Sequence, residues 1–173
     1  LKTADIISPW SVGRYNSIAG FMDRVEKFLK TDILWCRMNN VGYAPVVFPG
    51  FSWRNLKNLT ADKYDEIPRL KGDFLWRQIA EAKKAGAKMI YVAMFDELDE
   101  GTCIFKCANS KNTPIFATSS DPQGKFLGID DDLPTDYYLF LAGQAGEWLK
   151  GNAEYGDTKP SYKPMGMGHT KIE

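Results

Sequence analysis

Apolar residues recur along this chain in two alternating rhythms. Residues 4–8, Ala-Asp-Ile-Ile-Ser, form a short β-branched run closed by Pro9, which reads as a strand. Ile18, Phe21, Met22, Val25, Phe28 and Leu29 then follow the ~3.6-residue period of a helix that Asn16 or Ser17 can cap. Thr31 or Asp32 can cap a further short helix through Asn39, ended by Gly42, although Ile33-Leu-Trp-Cys36 also suits an extended segment. Tyr43-Ala-Pro-Val-Val-Phe48 reads as a buried strand stopped by Pro49-Gly50, and residues 51–71 have no period and form a long loop. Asp73 is placed to cap a helix with Leu75, Ile79 and Ala82 on one face, ended by Gly86. Lys88-Met-Ile-Tyr-Val-Ala-Met-Phe95 is the clearest strand in the chain. A polar loop runs from Asn109 to Gln123, followed by a short apolar run at residues 126–129. Thr135 can cap a last helix carrying Tyr138, Leu141, Ala142, Ala145, Trp148 and Leu149 before Gly151.

Strands that are apolar along their whole length, separated by amphipathic helices, predict parallel strands covered by crossover helices, an α/β class. A complete eight-stranded barrel takes about 250 residues, and this chain has 173. The pattern therefore fits either half of a barrel or a small open sheet. Residues 1–151 hold all of it. Residues 152–173, with Pro160 and Pro164, read as a loose C-terminal tail.

Charge narrows the partners. Lys+Arg and Asp+Glu both number 22, so the excess of positive charge that nucleic acid or an anionic membrane surface calls for is missing. No apolar run reaches the ~18 residues of a membrane span. The first residue is Leu1, which suggests a processed, truncated or partly recorded product, and no signal peptide is recognisable in the residues given. Cys36, Cys103 and Cys107 are too few for a disulfide framework, and only Cys103 and Cys107 lie close enough to pair locally. The sole histidine, His169, sits in a Gly- and Met-rich tail, so neither a structural metal nor a cofactor is expected, and a chelator should leave melting unchanged.

The chemistry concentrates where strands end. Ile6-Ile-Ser-Pro-Trp10 runs into Arg14-Tyr15. Val46-Val-Phe-Pro-Gly-Phe-Ser-Trp53 and Tyr91-Val-Ala-Met-Phe-Asp-Glu-Leu-Asp-Glu-Gly-Thr102 have the same plan. In a parallel α/β fold the C-terminal strand ends share the ligand-binding face. Asp96, Glu97, Asp99 and Glu100 crowd one such end, and crowding raises at least one carboxyl pKa, leaving an acid beside an ionised partner. That pair is the minimum machinery of glycoside hydrolysis. A solvated acidic loop or a calcium-binding turn is the plainer alternative, but the spacing departs from an EF-hand loop.

The run Ala93-Met-Phe-Asp-Glu-Leu-Asp-Glu-Gly-Thr102 resembles the catalytic segment of the glycoside hydrolase 71/99-like proteins, relatives of endo-α-mannosidase that are often labelled xylosidase/arabinosidase. Glu-x-x-Glu-Gly-Thr is the shared pattern. Ser8-Pro-Trp-Ser-Val-Gly-Arg-Tyr15, Pro45-Val-Val-Phe-Pro-Gly-Phe-Ser-Trp53, Ile67-Pro-Arg-Leu-Lys-Gly-Asp-Phe-Leu-Trp76 and Tyr138-Leu-Phe-Leu-Ala-Gly143 support it. The resemblance implies a parallel (β/α)8 TIM-barrel type, with this chain as its C-terminal half, and a retaining hydrolase of an α-linked glycan or polysaccharide. It further implies that Glu100 is the general acid/base and that Glu97 deprotonates the sugar 2-hydroxyl, so that a 1,2-anhydro sugar replaces a glycosyl-enzyme ester. The chain has Phe51 where those proteins have Tyr, and Leu98-Asp99 where they have Trp-His, so the sugar itself is not implied.

As substrate-binding candidates, Trp10, Tyr15, Phe51 and Trp53 either stack on sugar rings or pack beneath the cleft. Arg69 either orients a carboxylate or a substrate hydroxyl, or is solvated at the surface. Asp96, Asp99 and Thr102 share the acidic strand end. Trp76 reads as core, and Asn58-Leu-Thr60 matches a glycosylation sequon. The partners expected are a carbohydrate substrate and either a missing N-terminal half-barrel or a second copy of the chain. The other class of function is a carbohydrate-binding half-barrel without turnover. The resemblance favours a secreted or periplasmic setting.

Overall fold

A computed structural model describes residues 3–57, 66–115 and 124–164. The elements in chain order are β1 (Ile6–Ile7), α1 (Ile18–Arg24), a π-helical stretch (Val25–Leu29), α2 (Lys30–Met38), β2 (Gly42–Tyr43), β3 (Val46–Val47), α3 (Arg54–Lys57), α4 (Asp73–Lys84), β4 (Tyr91–Val92) and α5 (Tyr137–Lys150).

The sheet is parallel and its strands follow one another in sequence. β1 pairs with β2, Ile6 opposite Gly42, and β3 pairs with β4, Val46 opposite Tyr91. β2 and β3 are two halves of one extended segment that changes partner at Ala44-Pro45. Ala44 N–H still donates to Ile7 (2.9 Å), whereas the Pro45 carbonyl already accepts from Tyr91 N–H (3.0 Å). Proline has no N–H to offer the first ladder, which explains why the predicted strand at residues 43–48 is split there. The predicted strand at residues 88–95 pairs with β3 only at Tyr91 and Val92. Its end is closed instead by residues 102–104, with Met94 N–H on the Thr102 carbonyl (3.1 Å) and Ile104 N–H on the Met94 carbonyl (3.0 Å). Residues 96–101 thus form a loop projecting from a strand end.

The two helices expected between Ser17 and Gly42 are one, because the core-facing side chains demand it. Phe21, Val25, Leu29 and Ile33 are all buried at four-residue intervals. An α-helix turning every ~3.6 residues carries such a series off its own face. The stretch at residues 25–29, where Lys30 N–H reaches back to the Val25 carbonyl, widens the turn and keeps the series on the core. Ser17 caps the start by accepting from Gly20 N–H (3.1 Å), and the helix stops at Asn39, ahead of Asn40 at φ 55°. Gly42 is a strand residue and terminates nothing.

Two other caps shift by one residue. Gly72 (φ 87°), not Asp73, precedes α4, and Asp73 stands in its first turn, where a carboxylate favours the exposed N–H groups. Asp136, not Thr135, precedes α5, which ends at Gly151 (φ 81°) as expected. The loop from residue 51 contains α3 and returns through an antiparallel bridge between Phe51 and Ile67. Of the short run at residues 126–129, only Ile129 is bridged, to Asn109.

α4 lies between two clusters of buried side chains. Phe74 and Ala82 join Tyr15, Phe21, Val25, Phe48 and Phe51, while Leu75, Trp76, Ile79 and Ala80 join Ile129, Tyr138, Leu141 and Trp148. Adjacent residues Val46 and Val47 enter different clusters, as alternation along a strand dictates. Trp76 is core, stacked on Trp148 at 5.8 Å between ring centroids. The predicted loose tail is packed as far as it is described. Trp76 Nε1 donates to the Gly156 carbonyl (3.0 Å), Tyr162 donates to Asp136 (2.8 Å), and Lys159 pairs with Asp73 (2.6 Å). Aromatic rings at 155 and 162 bring enough apolar area to offset the ordering of the segment. The sequon at Asn58, residues 116–123 of the second loop and His169 lie outside the described residues. Among those described, no helix is long and apolar enough to cross a membrane.

Candidate functional site

The acidic loop at residues 96–100 is clamped from two directions. Ser52 N–H, in the segment following β3, donates to the Glu100 carbonyl at 2.7 Å. Arg69 Nη2 donates to the Gly101 carbonyl at 2.6 Å. Gly101 has φ +63° and a Cβ there would stand 2.9 Å from Leu127 Cδ2, so both backbone and space require glycine. Within the loop, Asp99 N–H donates to the Glu97 carboxylate (3.2 Å). Glu100 is half-buried, and its pKa is raised by that burial first, then by the Glu97 and Asp99 charges beside it. Asp96 and Asp99 are exposed and Glu97 is half-buried.

The segment following β1 reaches the same end of the sheet. Ser8 Oγ donates to the Ala44 carbonyl (2.9 Å) and Ser11 Oγ to the Val46 carbonyl (2.7 Å). Trp10 stands out from the surface, 51% exposed, with its ring 6.4 Å from that of Tyr91. Trp53 is half-buried beside the clamped loop, edge-on to Phe51 (4.5 Å) and with Lys57 Nζ over its ring at 3.8 Å. The three strand-end segments are therefore tied to one another, and they carry two tryptophans and a carboxylate pair.

Four candidates lie beneath this surface. Tyr15 is 7% exposed, packed between Phe21, Phe48 and Phe74, with its hydroxyl donated to Gln78 (2.7 Å) and its pKa pushed far up by burial. Phe51 is 3% exposed. Neither offers a ring face to a sugar, because the strand-end turns fold these rings back into the first cluster. Arg69 is 3% exposed rather than solvated, and it donates inward, to the Gly101 carbonyl and to Cys103 Sγ. It holds the acidic loop in place instead of facing a cleft. Thr102 is fully buried, and among the described residues its hydroxyl has no hydrogen-bond partner.

Gln78 is the residue that reading the sequence overlooks. It is fully buried, accepts from Tyr15 and from Phe48 N–H (3.2 Å), and donates to the carbonyls of Phe48 (2.8 Å) and Phe74 (2.9 Å). Both hydrogens and the oxygen of its amide are used, so it pins the end of β3 and the Tyr15 segment to α4. A glutamine interrupting the apolar stripe of Leu75, Ile79 and Ala82 was the available signal. Among the described residues, no group of three or more His, Cys, Asp or Glu is placed to hold a metal ion.

The arrangement is an α/β fold with parallel strands and an acidic loop at a C-terminal strand end. Two solved structures are similar to it, both of the GH99 endo-α-mannosidase from Bacteroides thetaiotaomicron. One superposes with TM-score 0.58 at 20% identity over 79% of this chain. The other, in complex with BIS-TRIS propane, gives 0.57 at 19% over 78%. In each case the chain spans only 36% of the length of that protein. At this identity the likeness is one of fold. No protein-family model matches the sequence, and no curated protein matches it.

Proposed function

We propose that the chain is the C-terminal part of a glycoside hydrolase barrel acting on an α-linked glycan with retention, in which Glu100 is the general acid/base and Glu97 the base for the sugar 2-hydroxyl. The observation that carries this is Glu100 itself. Its carboxyl is half-buried, its pKa is raised by that burial and by the Glu97 and Asp99 charges beside it, and it is set on a strand-end loop clamped by Ser52 and Arg69. A donor to a leaving oxygen must carry a proton, and an upward shift of the Glu100 pKa favours the protonated form relative to an ordinary carboxyl. With the 2-hydroxyl as the attacking group, Glu97 need only remove its proton, so no protein ester forms. Trp10 and Trp53 would then line the sugar, with Lys57 shifting off the Trp53 ring, and Asp96 and Asp99 would lie within reach of its hydroxyls.

The sheet as described is open. Ile6 and Tyr91 are exposed apolar side chains on its strands, and Phe95 is another just beyond β4. Such a surface, with unpaired strand edges, favours closure by further parallel strands. That, and the length of the similar structures, supports a partner half-barrel. The binding-only alternative rests on the same openness, since a one-sided cleft can hold a sugar without turning it over.

The test uses the protein encoded by the whole reading frame that contains this chain, assayed on α-mannosyl oligosaccharides and on an activated aryl α-glycoside. Glu100→Gln should lower turnover of the oligosaccharide by at least ~100-fold. Glu97→Gln should cripple both substrates while oligosaccharide binding persists, because an activated leaving group still requires the 2-hydroxyl base. Undiminished turnover by either variant refutes the assignment, and binding without turnover in the unsubstituted protein leaves the non-catalytic reading.

A further inference from the structure

Arg69 occupies a place that stability alone does not explain. Among the described residues this buried side chain forms no ion pair, and its Nε and Nη1 have no hydrogen-bond partner. A buried guanidinium with idle N–H groups lowers stability, and the Tyr138 ring, its centre 4.8 Å away, offsets only part of that loss. The backbone beyond Arg69 is strained as well. Leu70 and Lys71, neither of them glycine, have φ of 48° and 51°, ahead of Gly72 at 87°. Such residues persist only where the surrounding structure holds them, and they gather at functional sites.

What the side chain accomplishes is a bridge between two strand ends. Two residues before it, Ile67 exchanges both backbone N–H···O bonds with Phe51, at 3.0 Å each, which fixes the base of the side chain. The stem passes Gly50, where a Cβ would stand 2.6 Å from Arg69 Cγ. The tip ends on the Gly101 carbonyl at 2.6 Å, next to Glu100, whose own carbonyl accepts from Ser52 N–H.

We propose that Arg69 is a positioning residue for Glu100, retained at a cost in stability because its guanidinium holds the acidic loop against residues 50–52. The proposal rests on the reading of Glu100 as the general acid/base. Arg69 works through the loop backbone rather than through its charge. The Glu100 carboxyl is raised by burial first and then by Glu97 and Asp99, and Arg69 is not among the causes. The two routes have opposite signs. Loss of a nearby cation pushes a carboxyl pKa up, whereas freeing the loop lets water reach Glu100 and brings it down toward 4.5.

The experiment uses Arg69→Met, which keeps an apolar stem and removes the guanidinium, in the protein encoded by the whole reading frame. The urea midpoint should be unchanged or higher, since the variant discards an unpaired buried cation. The titration of Glu100, followed by NMR of the labelled carboxyl signal that Glu100→Gln removes, should move down toward 4.5. Amide exchange at Ser52 and Gly101 should quicken. Oligosaccharide turnover should fall about 10–100-fold in kcat, with KM little changed, because a small displacement of the acid harms the chemical step and leaves Trp10 and Trp53 in place. A Glu100 titration that stays or rises, an undiminished kcat, or a lowered midpoint overturns the proposal. If the unsubstituted protein turns over no glycan, the proposed function fails by itself, and the Glu100 titration and Ser52 exchange still decide whether Arg69 sets the loop.

Discussion

Replacing Gln78 by Leu removes one amide and strands three groups at once. The Tyr15 hydroxyl loses its acceptor, Phe48 N–H loses its acceptor, and the Phe48 carbonyl loses its donor, all in fully or nearly fully buried surroundings. The bond to the Phe74 carbonyl counts for little, since that carbonyl belongs to the same helix. A buried polar group left without a partner costs about 1–3 kcal/mol. Three of them cost roughly 3–9 kcal/mol, and the extra apolar burial of leucine returns about 1–2 kcal/mol. With local relaxation the expected loss is about 3–5 kcal/mol, a large part of the ~5–15 kcal/mol that holds a domain together. Urea unfolding followed by tryptophan fluorescence measures it as a lower midpoint at an unchanged slope. Tyr15→Phe, which removes one of the three groups, should cost about 1 kcal/mol alone and less in the Gln78→Leu background. If Gln78→Leu lies within about 0.5 kcal/mol of the unsubstituted chain, as a surface change would, the network does not pin the strand end.

Gly101→Ala should destabilise by about 1–3 kcal/mol, because φ +63° and the 2.9 Å approach of Leu127 both oppose a Cβ; a midpoint equal to that of the unsubstituted chain would contradict it. Glu100 has a folded pKa above its unfolded value of 4.5, so its contribution is fully present below pH 4.5 and is lost as pH rises through the raised value. Glu100→Gln should therefore flatten the fall of stability that sets in above pH 4.5 and ends at the raised value, and an unchanged slope there would show that the carboxyl is not perturbed. Trp10→Ala, at an exposed ring, should change stability by no more than about 0.5 kcal/mol while weakening oligosaccharide binding several-fold in titration calorimetry. Equal binding would remove Trp10 from the sugar site.

What the sequence determined by itself was the order of elements and the clustering of chemistry at strand ends. Apolar β-branched runs around Ile6, Val46 and Tyr91, separated by a helical period, sufficed for parallel strands with crossover helices. Asp96, Glu97, Asp99 and Glu100 were legible as an acidic cluster at a strand end because acidic residues directly after an apolar run stand out in one dimension. The tertiary structure decided which neighbours of that cluster face outward. Trp10 and Tyr15 follow the same strand, yet one ring is exposed and the other is packed against Phe48 and Phe74. Burial depends on which distant residues fold over a side chain, and no local period carries that information. The same reason put Arg69 inside, where its contacts at Gly101 and Cys103 come from some thirty residues away. It also turned a proline-containing tail into packed structure, because Tyr155 and Tyr162 found apolar surface that only the folded helices α4 and α5 create.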